Sequence, residues 1–170
     1  MVGNKKKKIN FTLLFFLIYA LIFVKTGTAY SGTFEEALKA AKEQNKKVVV
    51  DVYTDWCGWC KKMDKDSYSN NLIKDLIKEN FVYVKLDAES SSSVTYNGKS
   101  YTGTDLAAYF QVSGYPTHVF LEPDGKIIEF SYDNYKMNNL PGYYKATDFK
   151  KVLEFIRDEK YKDTDLSTIL

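Results

Sequence analysis

Histidine occurs once, cysteine twice and proline three times in this chain, and each scarcity removes a class of protein. A structural zinc site usually takes four ligands, and two cysteines with His118 do not supply them. A small secreted scaffold stapled by bridges would carry four or more cysteines, so stability has to come from an apolar core. The longest apolar run, residues 11–24, falls short of the ~20 residues that a spanning helix needs. No internal repeat is apparent, the only low-complexity run is the four serines at 90–93, and no flavin or nicotinamide motif occurs. The chain is therefore expected to use neither metal nor bound cofactor.

The apolar run follows four lysines at 5–8 and precedes the small residues Gly27 and Ala29. A basic head, a short apolar stretch and small residues at a possible cut are the pattern of a secretory signal peptide. Residues 1–29 are read as that signal and residues 30–170 as the domain, with its core at about 33–160. The alternative is a chain anchored in the membrane by residues 9–24. Residues 1–29 hold five lysines and no acid, which leaves 19 basic against 22 acidic residues and a net charge of −3. The basicity belongs to the export signal, so neither nucleic acid nor an anionic membrane surface is implied as a partner. Export also puts the two cysteines where a disulfide persists.

Along the rest of the chain, Thr33 and Glu36 form a capping box ahead of FEEALKAAKEQN, with Phe34, Ala37, Leu38 and Ala41 on one helical face. The β-branched run KKVVVDVYT predicts a strand buried on both faces. KKMDKDSYSNNLIKDLIKEN has helical spacing, with Leu72, Ile73, Leu76 and Ile77 apolar and Ser69 as cap of its second half. FVYVKLDA at 81–88 reads as a further strand. In VTYNGKSYT, residues 94–102, Asn97 and Gly98 between alternating runs signal a hairpin. Thr104 is read as the cap of a short helix, THVFL and KIIEFSY as an antiparallel pair around EPDG, and TDFKKVLEFIRDEKYK as an amphipathic helix with Phe149, Val152, Leu153 and Ile156 inward. Helices and strands in this order imply a mixed sheet covered on both faces.

Both cysteines lie in TDWCGWCKK. Cys57 falls between a buried strand and a helix, where free backbone N–H groups and the helix dipole favour a thiolate. A thiol of pKa about 8.5 is roughly 3% ionised at pH 7, and one lowered to about 7 is half ionised. Cys60, one turn on, is in reach of a disulfide. As a staple, so short a loop removes only about 2 kcal/mol of unfolded-chain entropy. Redox exchange is the favoured reading; a staple and a copper(I) or other soft-metal site remain beside it.

VVVDVYTDWCGWCKK resembles the active-site strand and helix start of the thioredoxin superfamily. Asp51 falls where thioredoxins have a buried acid, and Lys85 where they have a lysine on the neighbouring strand. GYPT, with Pro116, resembles the loop whose cis-proline faces the dithiol, and Gly142 resembles the glycine ahead of the last helix. Trp59 replaces the proline usual in thioredoxin, and the 94–102 segment is an insertion, so the chain resembles the exported thioredoxin-related proteins.

The resemblance implies a thioredoxin fold, an α/β architecture with a central mixed sheet flanked by helices and an inserted β-hairpin near 94–102. It implies a periplasmic thiol-disulfide oxidoreductase expected to act as a reductase, with oxidase, isomerase and a non-enzymatic soft-metal or copper chaperone or client-binding module as alternatives. The expected catalytic set is Cys57, Cys60, Asp51, Lys85 and Pro116. Asp51 would take the proton of Cys60, or else form a structural ion pair with Lys85. The expected substrate contacts are Trp56, Trp59, Tyr115 and Thr117, with Trp59 the better contact and Trp56 the more structural. His118 is read as a satisfied core or edge residue. The expected partners are protein thiols and disulfides of the exported compartment and a membrane thiol electron donor, met by a monomer.

Overall fold

A computed structural model describes residues 32–170. The signal or anchor expected at residues 1–29 lies outside the described residues. Among those described, no helix is long and apolar enough to cross a membrane.

The elements run α1 (Phe34–Gln44), β1 (Lys47–Tyr53), α2 (Gly58–Met63), a π-helical turn (Asp64–Tyr68), α3 (Asn71–Asn80), β2 (Phe81–Asp87), β3 (Val94–Tyr96), β4 (Lys99–Tyr101), α4 (Gly103–Tyr109), β5 (Thr117–Leu121), β6 (Phe130–Tyr132), β7 (Tyr135–Met137), β8 (Leu140–Pro141) and α5 (Ala146–Arg157). The main sheet has the order β2-β1-β5-β8. Strand β1 pairs parallel with β2 and antiparallel with β5, and β5 pairs antiparallel with β8. The sheet is mixed and flanked by helices, as the resemblance implies.

Alternation along β1 divides the core. Val48, Val50 and Val52 pack with Phe34, Ala37 and Ala41 of α1 and Leu106 and Ala107 of α4. Val49 turns the other way, towards Met63 of α2, Ile73 and Ile77 of α3, and Phe149 and Val152 of α5. A strand buried on both faces needs apolar residues at every position, which makes the one acid of β1, Asp51, conspicuous.

Several local expectations need correction. The cap of α3 is Asn70, not Ser69. The π-helical turn, closed by Ser69 N–H donating to Asp64 O at 2.9 Å, carries the helix one residue further than a regular α pattern, so Ser69 ends that turn as its C-cap. Of the four apolar positions of α3, Ile73, Leu76 and Ile77 are buried and Leu72 is exposed. The cap of α4 is Thr102, which makes a capping box with Asp105, whereas Thr104 donates to Ala88 O. Gly103 follows that cap because a Cβ there would lie 2.0 Å from Asp87 O.

The predicted pairing of KIIEFSY with THVFL is realised only at its start, in the Leu121–Ile127 bridge and the Ile128 N–H bond to Phe120 O. From Phe130 the chain leaves to form its own hairpin with β7. Asp133 and Asn134, both at positive φ, make the two-residue turn, and the freed edge of β5 takes β8 at Thr117 and His118. The β3–β4 hairpin turns at Asn97 and Gly98, also at positive φ.

Candidate active site

Strand β1 ends at Tyr53, the chain turns, and Cys57 becomes the N-cap of α2. Its sulfur accepts the Cys60 backbone N–H at 3.0 Å, the task that a serine or aspartate oxygen performs at most helix starts. A donor in that place favours a charged sulfur when the thiol is free. Cys57 and Cys60 are joined as a disulfide with a Cα separation of 5.3 Å, and both are buried.

The Tyr115–Pro116 peptide is cis, and Pro116 O accepts the Gly142 N–H at 2.8 Å. This bond ties the start of β5 to the segment that enters α5. Trp59, Tyr115, Pro116, Gly142 and Tyr143 line an open groove. Trp59 is 59% exposed, and its ring lies 5.4 Å from that of Tyr143. Trp56, expected to be the more structural of the two tryptophans, is 66% exposed. Its indole N–H donates to Glu89 Oε1 at 2.9 Å and its ring meets Tyr115 edge-on. Thr117 is fully buried and its hydroxyl donates to Gly114 O, so any contact it makes with a substrate comes from its backbone.

Beneath α2, register places Lys85, Asp51, His118 and Leu140 in one row across the sheet. Asp51 is buried, and Tyr83 donates its hydroxyl to Asp51 Oδ2 at 2.8 Å. The Lys85 ammonium is 3.5 Å from that oxygen but 2.8 and 3.0 Å from the two oxygens of Asp64. Burial pushes the Asp51 carboxyl up to about 6, opposed by the charge of Lys85 and the bond from Tyr83. Burial lowers the Lys85 ammonium, but Asp64 and Asp51 outweigh it, and its pKa lies above the ordinary value.

Neither Tyr83 nor Asp64 was expected from the sequence. Tyr83 could have been found, since it stands two residues before Lys85 on β2 and shares its face. Asp64 follows Cys60 at helical spacing.

The other end of the row is neutral. His118 is buried between Tyr68, Tyr144 and Phe149. Its Nε2 faces Gly142 O at 3.2 Å, and its Nδ1 faces the Tyr68 hydroxyl at 2.9 Å. A carbonyl only accepts, so Nε2 carries the hydrogen and Nδ1 accepts from Tyr68. Burial brings the imidazole down to about 4, against the bond to Gly142. His118 is the satisfied core residue that the sequence suggested.

Tyr143 is a groove residue that the sequence reading missed. Its hydroxyl donates to Asp66 at 3.0 Å, and the Lys62 ammonium, paired with Asp66 at 2.6 Å, lies 5.4 Å from its ring centre. Its only signal was its place directly after Gly142. Among the described residues, no group of three or more histidine, cysteine, aspartate or glutamate side chains is placed to hold a metal ion.

Known proteins place this geometry. The model of the thioredoxin-like domain family matches residues 34–157. A thioredoxin-fold protein from Helicobacter pylori superposes with a TM-score of 0.60 at 25% identity, covering 79% of this chain and 91% of that one. The thiol:disulfide interchange protein DsbD of Pseudoalteromonas atlantica is 32% identical over 98 residues, 58% of this chain and 15% of the relative. A protein disulfide-isomerase of Zea mays is 34% identical over 94 residues, 54% of this chain and 15% of the relative. The chain thus spans less than one-sixth of the length of these two curated relatives.

Proposed function

The chain belongs to the thioredoxin-like domain family, and from that premise we propose that it is an exported protein-disulfide reductase working through Cys57 and Cys60. The observation that carries this reading is the Cys57–Cys60 pair itself, with the Cys57 sulfur on a backbone N–H and an apolar groove beside it.

In the reduced protein, the Cys57 thiolate attacks one sulfur of a substrate disulfide. An S–S bond forms to Cys57, the substrate bond breaks, and one substrate sulfur leaves as a thiolate. Cys60 then loses its proton and attacks Cys57 Sγ, which closes the 57–60 disulfide and releases the second substrate thiolate. Two electrons pass to the substrate, and the protons of the two protein thiols end on the two substrate thiols. Asp51 lies on the sheet face that α2 covers, and its carboxyl at about 6 is largely ionised at neutral pH yet basic enough to accept the Cys60 proton. Lys85 steadies the resulting charge changes. Trp59 and Tyr115 contact the substrate, and Pro116 forms the floor of the groove.

The chemistry runs in both directions, and the retained pair of Asp51 and Lys85 supports reduction. Renewal of the dithiol calls for two electrons from a membrane thiol carrier, and residues 1–29 would deliver the chain to the periplasm. The deciding experiment is the reduction potential of the pair: near about −270 mV it is a reductant, and near about −120 mV an oxidant. A dithiol form that neither reduces an insulin-type disulfide nor, once oxidised, oxidises a reduced peptide would overturn the reading. Cys60→Ser, which stalls at the first bond, should accumulate clients as mixed disulfides.

A further inference from the structure

We propose that Tyr143 selects the substrate: the groove it shares with Trp59 admits a disulfide whose cysteine is flanked by a large apolar side chain. This rests on the exchange reading above and names the substrate class of the same site.

Among the described residues, the groove is lined by three aromatic rings, a proline and a glycine, and none of these lining side chains carries a charge. Lys62 and Asp66, both in contact with Tyr143 at the rim, pair with each other at 2.6 Å. A charged side chain entering the groove would lose water and gain no partner, which is costly. An apolar one gains contact with Trp59, an exposed ring beside that of Tyr143.

Tyr143 is also held in place more firmly than a surface tyrosine needs to be. Its hydroxyl is on Asp66. The residue before it is tethered at both backbone groups, Gly142 N–H to Pro116 O and Gly142 O to His118. The residue after it accepts the Ser67 hydroxyl at its carbonyl, at 2.5 Å. Asp66 and Ser67 belong to the π-helical turn that continues α2, so the groove wall is fastened to the helix that carries the dithiol. A fixed wall selects by shape, because a side chain that does not fill the space cannot draw the wall in after it.

The test uses the full chain and short peptide disulfides that differ only in the residues flanking the cysteine, namely Phe, Leu, Gly, Glu or Lys. For the wild type, kcat/KM is expected to be at least about tenfold higher for Phe and Leu than for Gly or Glu, with the difference in KM. Tyr143→Ala should compress that range to within about threefold, with the loss falling on the KM of the Phe and Leu peptides. Tyr143→Phe, which keeps the ring and loses the tether, and Asp66→Asn should each give an intermediate range, and they serve if the alanine variant does not fold. Equal kcat/KM for all peptides in the wild type, or a Tyr143→Ala effect that is uniform across peptides or lies in kcat, overturns the selection. A wild type that exchanges with none of the peptides in either direction overturns the exchange reading itself.

Discussion

Asp51 and His118 are opposite each other on neighbouring strands and both are buried, yet burial has driven them to different ends. Asp51 accepts the Tyr83 hydroxyl and is joined through Lys85 to Asp64 near the surface, and burial pushes its carboxyl up to about 6. His118 is enclosed by aromatic rings with each nitrogen matched to one partner, and it stays neutral down to about 4. Desolvation is the largest cause at both sites. The difference lies in what surrounds each group: ions that can answer a change of charge for Asp51, and neutral partners that need none for His118.

The largest test of this contrast is the pH dependence of stability. The folded value for Asp51 lies above its ordinary 3.8, so between pH 4 and 6 the folded chain holds a proton that the unfolded chain has released, and stability falls as pH rises. The folded value for His118 lies below its ordinary 6.5, so across pH 4 to 6.5 the unfolded chain binds the extra proton, and stability rises with pH. Each amounts to about 3 kcal/mol, and the two nearly offset in the wild type. In denaturant titrations, Asp51→Asn should gain about 3 kcal/mol relative to wild type between pH 4 and 6, and His118→Gln should lose a similar amount. Slopes of the same sign in the two variants would break the comparison.

Next in size is the rate. Asp51→Asn should slow closure of the 57–60 disulfide about a hundredfold at pH 7 and remove the inflection near pH 6, whereas His118→Gln should keep that inflection. Stopped-flow measurement across pH reads both. A third and smaller test removes one hydroxyl from each network. Tyr83→Phe withdraws a donor from the carboxylate and should move the Asp51 titration upward, read by carboxyl NMR of the oxidised protein. Tyr68→Phe should cost about 1 kcal/mol of stability and leave that titration in place.

How much of this was legible in the sequence follows the range of the interactions. The capping box at Thr33, the buried run of β1 and the Asn97–Gly98 turn are local, and residues near in sequence settle them. Asp51, Lys85 and Pro116 came from the resemblance, which fixes position but not company. The bond from Tyr83 to Asp51 and the closer hold of Asp64 on Lys85 join side chains of different elements, so their partners are fixed only once β2 lies beside β1 and α2 over the sheet. The π-helical turn moved the helix cap from Ser69 to Asn70, an irregularity that no local signal announces. Tyr143 went unseen for a related reason, because its partner Asp66 lies on the same turn, far away in sequence.

That turn amounts to one residue more than a regular helix would hold. Deleting any residue between Met63 and Ser69 would close that wide turn and change the angular spacing of the side chains it carries. Asp64, Asp66, Ser67 and Tyr68 could no longer all meet Lys85, Tyr143, Tyr144 and His118. The support of the dithiol is thus written partly in chain length, and a shortened sequence could keep every side chain named here and still lose their arrangement.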